Sequence, residues 1–285
     1  MLFKSALIAT VFAVAAAPVL VTPALAATAS TTTTTPAAAT APAPAKPKPP
    51  QKPVKATPEQ RAEIERLEPL ARAAFWAREV NADQTDGDAR LKLAKALRAL
   101  GKYEEAGENA DQLLVMQPTN YEALLESARD RIAQNHGFYA IDPAQRAAAL
   151  QPHDWRPISL QAIALEQSDR DSEALAAHQK ALTLAPNNPA TLSNLGMYYA
   201  THGDPAQAEA LLRRAADAPG AGALERQNLA LVLGMEGRMD EAERLERQDL
   251  PPQTVSNNLA YLRAATDPTP SASRSRTWDS VKTAQ

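Results

Sequence analysis

The chain has 285 residues, a formal net charge of −3, 45% hydrophobic residues and no cysteine. Without cysteine there are no disulfides, no thiolate-held metals and no N-terminal cysteine to acylate. The near-neutral balance, with no clustered basic face, excludes a nucleic-acid footprint, and ten glycines with 5% aromatics argue against a β-sandwich.

Residues 1–26 read as a secretory signal peptide, with Lys4 in the charged segment, a mostly apolar stretch at 6–21 and Ala24-Leu25-Ala26 as the cleavage site. The apolar stretch is short and alanine-rich for a membrane span of about 20 residues. Cleavage and an exported, soluble mature protein are therefore expected; an uncleaved anchor is the alternative. Residues 27–57 are low-complexity, with a threonine run at 31–35 followed by Pro42, Pro44, Pro47, Pro49, Pro50 and Pro53 among Lys46, Lys48, Lys52 and Lys55. Such proline density favours extended polyproline II. A disordered, semi-rigid spacer is expected; contact with an anionic envelope component or a proline-binding partner is the functional alternative.

Order is expected from Thr57-Pro58-Glu59-Gln60, where threonine at the N-cap, proline at the first helical position and glutamine at the third make a capping box. Ile64, Leu67, Leu70 and Ala71 continue one apolar face, which Pro69 should kink or divide. Ala73, Phe75, Trp76 and Val80 form a second. Together they predict a leading hairpin over residues 58–82, followed by a polar connection.

From there a 34-residue spacing governs the chain. Ala106, Ala140, Ala174, Ala208 and Ala242 stand at that interval, as do Ala94, Ala128, Ala162, Gly196 and Ala230. Pro118, Pro152 and Pro186 follow it, with Gly220 in the fourth place. Small residues and a closing proline at this period are the tetratricopeptide-repeat (TPR) pattern, a helix–turn–helix unit that stacks into a solenoid. The expected fold is all-α: a right-handed superhelix of repeats at 87–120, 121–154, 155–188, 189–222 and 223–250, closed by a capping helix at 253–265. Residues 267–285 should be a disordered tail holding Trp278. In the fourth repeat, Gly203 should end the first helix, Asp204-Pro205 should cap the second, and Gly196 and Ala208 should be small because the two helices approach closely there. The second repeat is irregular. Arg131 replaces a usual leucine, and Asp142-Pro143 falls within the second helix, which predicts an open loop at 135–141 and a late start with Asp142 as N-cap. Phe138, Tyr139 and Trp155 are expected to fill gaps between helices, the alternative being an exposed hot spot.

The turn Asp249-Leu250-Pro251-Pro252 followed by Asn258-Leu259-Ala260-Tyr261-Leu262-Arg263-Ala264 resembles the closing segment of TPR proteins of Tad (tight adherence, Flp-type) pilus loci. The stretches Leu70-Ala71-Arg72-Ala73-Ala74-Phe75-Trp76-Ala77 and Gln227-Asn228-Leu229-Ala230-Leu231-Val232-Leu233-Gly234 are also similar to that family. The resemblance spans roughly residues 58–265. It implies a periplasmic accessory protein of pilus assembly and secretion, with pilus or secretion proteins as partners. Some members resemble lipoproteins, and this chain departs from them in having no cysteine. The resemblance supplies no functional residues.

In a stacked array each repeat's first helix lines a concave groove. Groove positions read in register are Leu91, Leu125, Ser159, Ser193 and Gln227; Lys95, Arg129, Ile163, Met197 and Leu231; and Lys92, Glu126, Leu160, Asn194 and Asn228. The groove should be basic at its N-terminal end and apolar-to-amide towards its C-terminal end. An extended peptide or partner helix is expected there. Asn194 and Asn228 would hydrogen-bond its backbone, while Lys95, Arg98 and Arg129 meet its carboxylates. An ordinary solvated helix face is the alternative.

Catalytic signals are missing. His136, His153, His178 and His202 form no zinc-binding spacing, and there is no nucleophile elbow, phosphate loop or dinucleotide fingerprint. Glu104-Glu105, Glu173 and Asp240-Glu241 belong to the first turns of second helices, where they favour the helix dipole. The expected function is a non-catalytic protein-interaction scaffold without cofactor, metal, nucleic acid or mature membrane span. An envelope adaptor for cell-wall enzymes or outer-membrane assembly is the second possibility, and an enzyme with an unrecognised site the third.

Overall fold

A computed structural model describes residues 55–266, which form thirteen helices and no strand among them. The chain starts with α1 (Pro58–Ile64) and α2 (Pro69–Ala82). Five hairpins follow: α3 (Gly87–Ala99) with α4 (Tyr103–Met116), α5 (Tyr121–Ala133) with α6 (Gly137–Leu150), α7 (Trp155–Glu166) with α8 (Asp171–Leu184), α9 (Pro189–Thr201) with α10 (Pro205–Asp217), and α11 (Ala223–Met235) with α12 (Met239–Glu246). α13 (Pro252–Thr266) closes the array. The helices of the hairpins pack chiefly on their neighbours in sequence, each hairpin's first helix also touches the first helix of the next, and α13 packs on both α11 and α12. This is a TPR solenoid. The expected signal segment 1–26, most of the spacer, the tail 267–285 and Trp278 lie outside the described residues.

The 34-residue period is written in backbone conformation as well as in sequence. Residues 101, 135, 169, 203 and 237 all have positive φ: glycine at three of them, Asn135 (φ 59°) and Asp169 (φ 55°) at the others. Each ends a first helix in the left-handed conformation, which glycine adopts freely and Asn or Asp tolerates best among the rest. The reverse connections carry caps at the same interval. Asp86, Asn120, Asp154 and Asn188 each accept a hydrogen bond from a backbone N–H in the next helix's first turn, satisfying donors the helix leaves orphaned. Thr57 makes the capping box with Gln60, and Pro69 divides the leading segment by opening α2.

Between the two helices of a hairpin, alanine sets the distance. Ala94, Ala128, Ala162 and Ala230 are wholly buried, and so are Ala106, Ala140, Ala174, Ala208 and Ala242. Gly196 takes the alanine place in α9 because a Cβ there would lie 2.8 Å from Leu212 Cγ. At the C-terminal end, Val255, Leu259 and Leu262 of α13 turn inward, and Leu262 packs over Gly234 of α11.

The second repeat departs from expectation. No open loop occupies residues 135–141; α6 starts at Gly137 and carries Pro143 inside it. Proline removes one intrahelical bond and disfavours a helix interior, yet packing overrides that cost. Ala140, Ile141, Ala144 and Ala147 are buried on one face, and Gly137 lets the helix start against α7, where a Cβ would stand 2.6 Å from the Ala164 carbonyl oxygen. Phe138 and Tyr139 do not fill gaps. They are 71% and 61% exposed, while Trp155 is half-buried.

Candidate partner-binding face

The first helices α3, α5, α7, α9 and α11 bring one position into line, occupied in turn by Lys95, Arg129, Ile163, Met197 and Leu231. All five are half-buried, so this row keeps surface to offer while its stems pack on the array. The two flanking rows are drawn further inward. Leu91 and Gln227 are half-buried, but Leu125 is fully buried with Leu124 and Ala147, and Ser159 and Ser193 are buried. Leu125, expected on an open groove, belongs to the interior because neighbouring repeats close over it.

The amides expected to meet a partner's backbone are engaged within the chain. Asn194 Nδ2 donates to Ser159 Oγ at 2.8 Å, and Asn228 Nδ2 donates to Ser193 Oγ at 2.9 Å. Each bond ties a first helix to the one before it, and Asn228 is only 7% exposed. The two bonds form a polar ladder that fixes the register between repeats, where a buried, satisfied amide stabilises modestly and an orphaned one costs more.

The basic end of the row is paired. Lys95 Nζ lies 2.8 Å from Glu122 Oε2; Arg98 Nε donates to Glu126 Oε2 and an Arg129 terminal nitrogen to Glu126 Oε1, each at 2.7 Å. Arg156 joins at 3.7 Å from Glu122 and 2.6 Å from Asp154. The Lys95 hydrogen bond holds the Glu122 carboxyl below its ordinary range. A partner's carboxylates therefore meet cations that already carry a counter-charge. They compete for donors rather than filling a vacant positive site.

Beneath this network lies Asp130 of α5, wholly buried, with neither carboxylate oxygen hydrogen-bonded. Its closest cation is Arg98, whose Nε stands 3.9 Å away. Burial pushes its carboxyl up to about 8, and the Glu126 charge adds to the rise against Arg98 and Arg129. Asp130 thus keeps its proton at neutral pH, and the charged network above it is built around Glu122 and Glu126 instead. The equivalent positions are Ala96, Ala164, Tyr198 and Val232, all buried. The register identifies Asp130 as an acid in an apolar row, a signal present in the sequence but not read from it. Glu122 and Arg156 were likewise missed, because pairing between repeats follows from stacking and not from spacing alone. Arg131, where a leucine is usual, reaches Asp111 at 2.5 Å and the Ser127 hydroxyl at 3.2 Å.

Two of the four histidines serve packing, and His136 and His153 are exposed. His178 is buried with Nε2 3.5 Å from Glu166 Oε2, and His202 stacks on Tyr198 at 3.9 Å between ring centroids. Among the described residues no group of three or more His, Cys, Asp or Glu side chains is arranged to hold a metal, and no helix is long and apolar enough to cross a membrane.

With this geometry, comparison with known proteins agrees on architecture. A family model described as tetratricopeptide repeat matches residues 190–218, which is α9 with α10. No curated protein sequence matches the chain. Among solved structures, a thermophilic TPR protein of Thermus thermophilus is similar with a TM-score of 0.57 at 22% identity, covering 62% of this chain and 99% of that one. A tetratricopeptide repeat protein of Parabacteroides merdae gives 0.60 at 13% identity over 72% of this chain and 79% of its own. MamA from Desulfovibrio magneticus, residue 41 to its end, gives 0.50 at 19% identity over 55% and 89%. At these identities the likeness is one of fold. The chain is a TPR solenoid, a fold that works as a protein-interaction scaffold.

Proposed function

We propose that this protein is a non-catalytic scaffold that holds a protein partner along Lys95, Arg129, Ile163, Met197 and Leu231, and that it serves as a periplasmic accessory factor in Tad/Flp pilus assembly and secretion. The observation that carries the binding reading is that row. It runs from charged to apolar across the first helices of five successive hairpins and is half-exposed throughout. Such a strip suits an amphipathic helix or extended segment with acid at one end and apolar side chains at the other. The pilus role draws its support from the closing segment at 249–264, the stretches 70–77 and 227–234, and the export signal at 1–26.

The test is affinity purification of the tagged full chain from its host cells, beside Ile163→Glu with Met197→Glu. Pilus or secretion proteins retained by the parent and lost from the double variant are the expected result. Retention of cell-wall synthases or outer-membrane assembly factors instead would assign the scaffold to that machinery. Unchanged capture by the double variant, with helicity intact, would refute the row.

A further inference from the structure

The first turns of the second helices place the same two positions towards solvent every 34 residues, all exposed except the half-buried Glu241. α4 places Glu104-Glu105 there, α8 Ser172-Glu173, α10 Ala206-Gln207 and α12 Asp240-Glu241. α6 places Phe138-Tyr139, and both rings stand mostly in solvent. The array supplies its own control: a position kept small or polar in four repeats carries two aromatic rings in the second. These rings sit on a helix whose start is seated against the α7 backbone through Gly137, so a fixed element presents them.

Phe138 and Tyr139 meet edge to face at 5.5 Å between centroids, and the His136 ring stands 6.4 Å from Tyr139. His136 also forms one wall of a cleft of about 490 Å³, whose other wall includes Tyr103, Glu104 and Glu105. Glu105 is paired with exposed Lys102, and Glu104 has no ion-pair partner among the described residues. An aromatic strip edged by carboxylates fits a proline-rich segment that carries lysines. Proline rings pack on aromatic faces, the extended form loses little entropy on docking, and lysine meets the carboxylates.

We propose that this strip is the docking site of the chain's own residues 42–48, Pro42-Ala43-Pro44-Ala45-Lys46-Pro47-Lys48. Charge favours this occupant: residues 27–54 contain Lys46, Lys48 and Lys52 and no acid. Reach allows it. Lys55 is tied to Asp83 at 2.5 Å, at the connection between α2 and α3. The strip lies two second helices along the array from α2, and one helix length across, roughly 20 Å at about 1.5 Å per residue. The thirteen steps from Lys55 back to Pro42 span roughly 40 Å at about 3.1 Å each, enough for that helix length and the advance along the array. Tethering raises the effective concentration to the order of mM, so a weak contact suffices.

The experiment uses the full chain with benzoylphenylalanine in place of Phe138, an exposed position whose replacement leaves the core untouched. Equal amounts of ¹⁵N-labelled and unlabelled protein are mixed, irradiated and mapped by mass spectrometry. The expected product joins position 138 to residues 42–48 of the same chain. Lys46→Glu with Lys48→Glu, or Glu104→Lys with Glu105→Lys, should lower its yield about fivefold, as loss of contacts of surface ion-pair strength implies, with far-UV circular dichroism unchanged. No product, a product to any other segment, a product joining two copies, or a yield indifferent to both charge reversals would overturn the proposal.

Discussion

Replacing Asp130 with asparagine removes a buried titratable group whose carboxylate oxygens accept no hydrogen bond, and the effect should depend on pH in a defined direction. In the unfolded chain this carboxyl titrates near 3.8; in the folded chain burial, with Glu126 nearby, carries it up to about 8. Between those values the unfolded chain has lost the proton and the folded chain retains it, so folding takes up one proton. Stability then falls as pH rises, by about 1.4 kcal/mol per pH unit from this group. Over the window from about 4 to about 8 the ceiling is roughly 6 kcal/mol; below it both states hold the proton, and above it neither does. Asparagine is nearly isosteric and stays neutral throughout. The variant should match the parent near pH 4 and exceed it by several kcal/mol near pH 8, read from urea unfolding followed by circular dichroism at unit pH steps. Glu126, Asp111, Arg98 and Arg129 remain in both proteins, so the difference curve isolates Asp130. Parallel pH profiles for parent and variant would refute the assignment of a proton to this buried acid.

Three further outcomes are expected. Asp169→Gly should stabilise the array by about 0.5–1 kcal/mol, because φ is 55° there and glycine has no left-handed penalty; a shift of the urea midpoint upward checks it. Gly137→Ala should destabilise by about 1–3 kcal/mol despite alanine's higher helix propensity, since the added Cβ meets the backbone carbonyl of Ala164, which cannot step aside; a lowered thermal midpoint is the readout. Asn228→Ala should cost about 1–3 kcal/mol by orphaning the buried Ser193 hydroxyl, and Asn194→Ala about 0.5–1.5 kcal/mol at its more open site. Urea unfolding of both variants, which retain wild-type partner capture if the ladder is purely internal, decides the point.

Much of the fold was legible because each repeat obeys local rules that recur. The alanines at the hairpin contact, the positive-φ residue after each first helix and the Asp or Asn caps all stand in sequence at one interval, and each has a single physical reason. The start of α6 was misread because the rule applied to Pro143 was local. The missing hydrogen bond is outweighed by the four buried residues around it and the fit of Gly137 onto α7. Phe138 and Tyr139 were misplaced for the opposite reason. Aromatic rings are normally worth burying, and only alignment with Glu104-Glu105 and its equivalents shows that their position faces water. The binding face was legible as a set of rows, yet sequence could not tell which row stays open. That depends on how closely successive repeats stack, which buries Leu125 and engages Asn228 while leaving Ile163, Met197 and Leu231 half-exposed. Glu122 and Glu126 pair with cations of the preceding repeat, so the basic end read from one helix at a time is nearly balanced in the assembled array.

The claim that the first-helix face holds a protein partner is tested most directly by photocrosslinking in cells. A photoreactive residue replaces Met197 on that face, and a second, at exposed Gln179 on α8, is the control. The account predicts that Met197 captures a pilus or secretion component and that Gln179 does not. No capture from Met197, or the same capture from both positions, would contradict it.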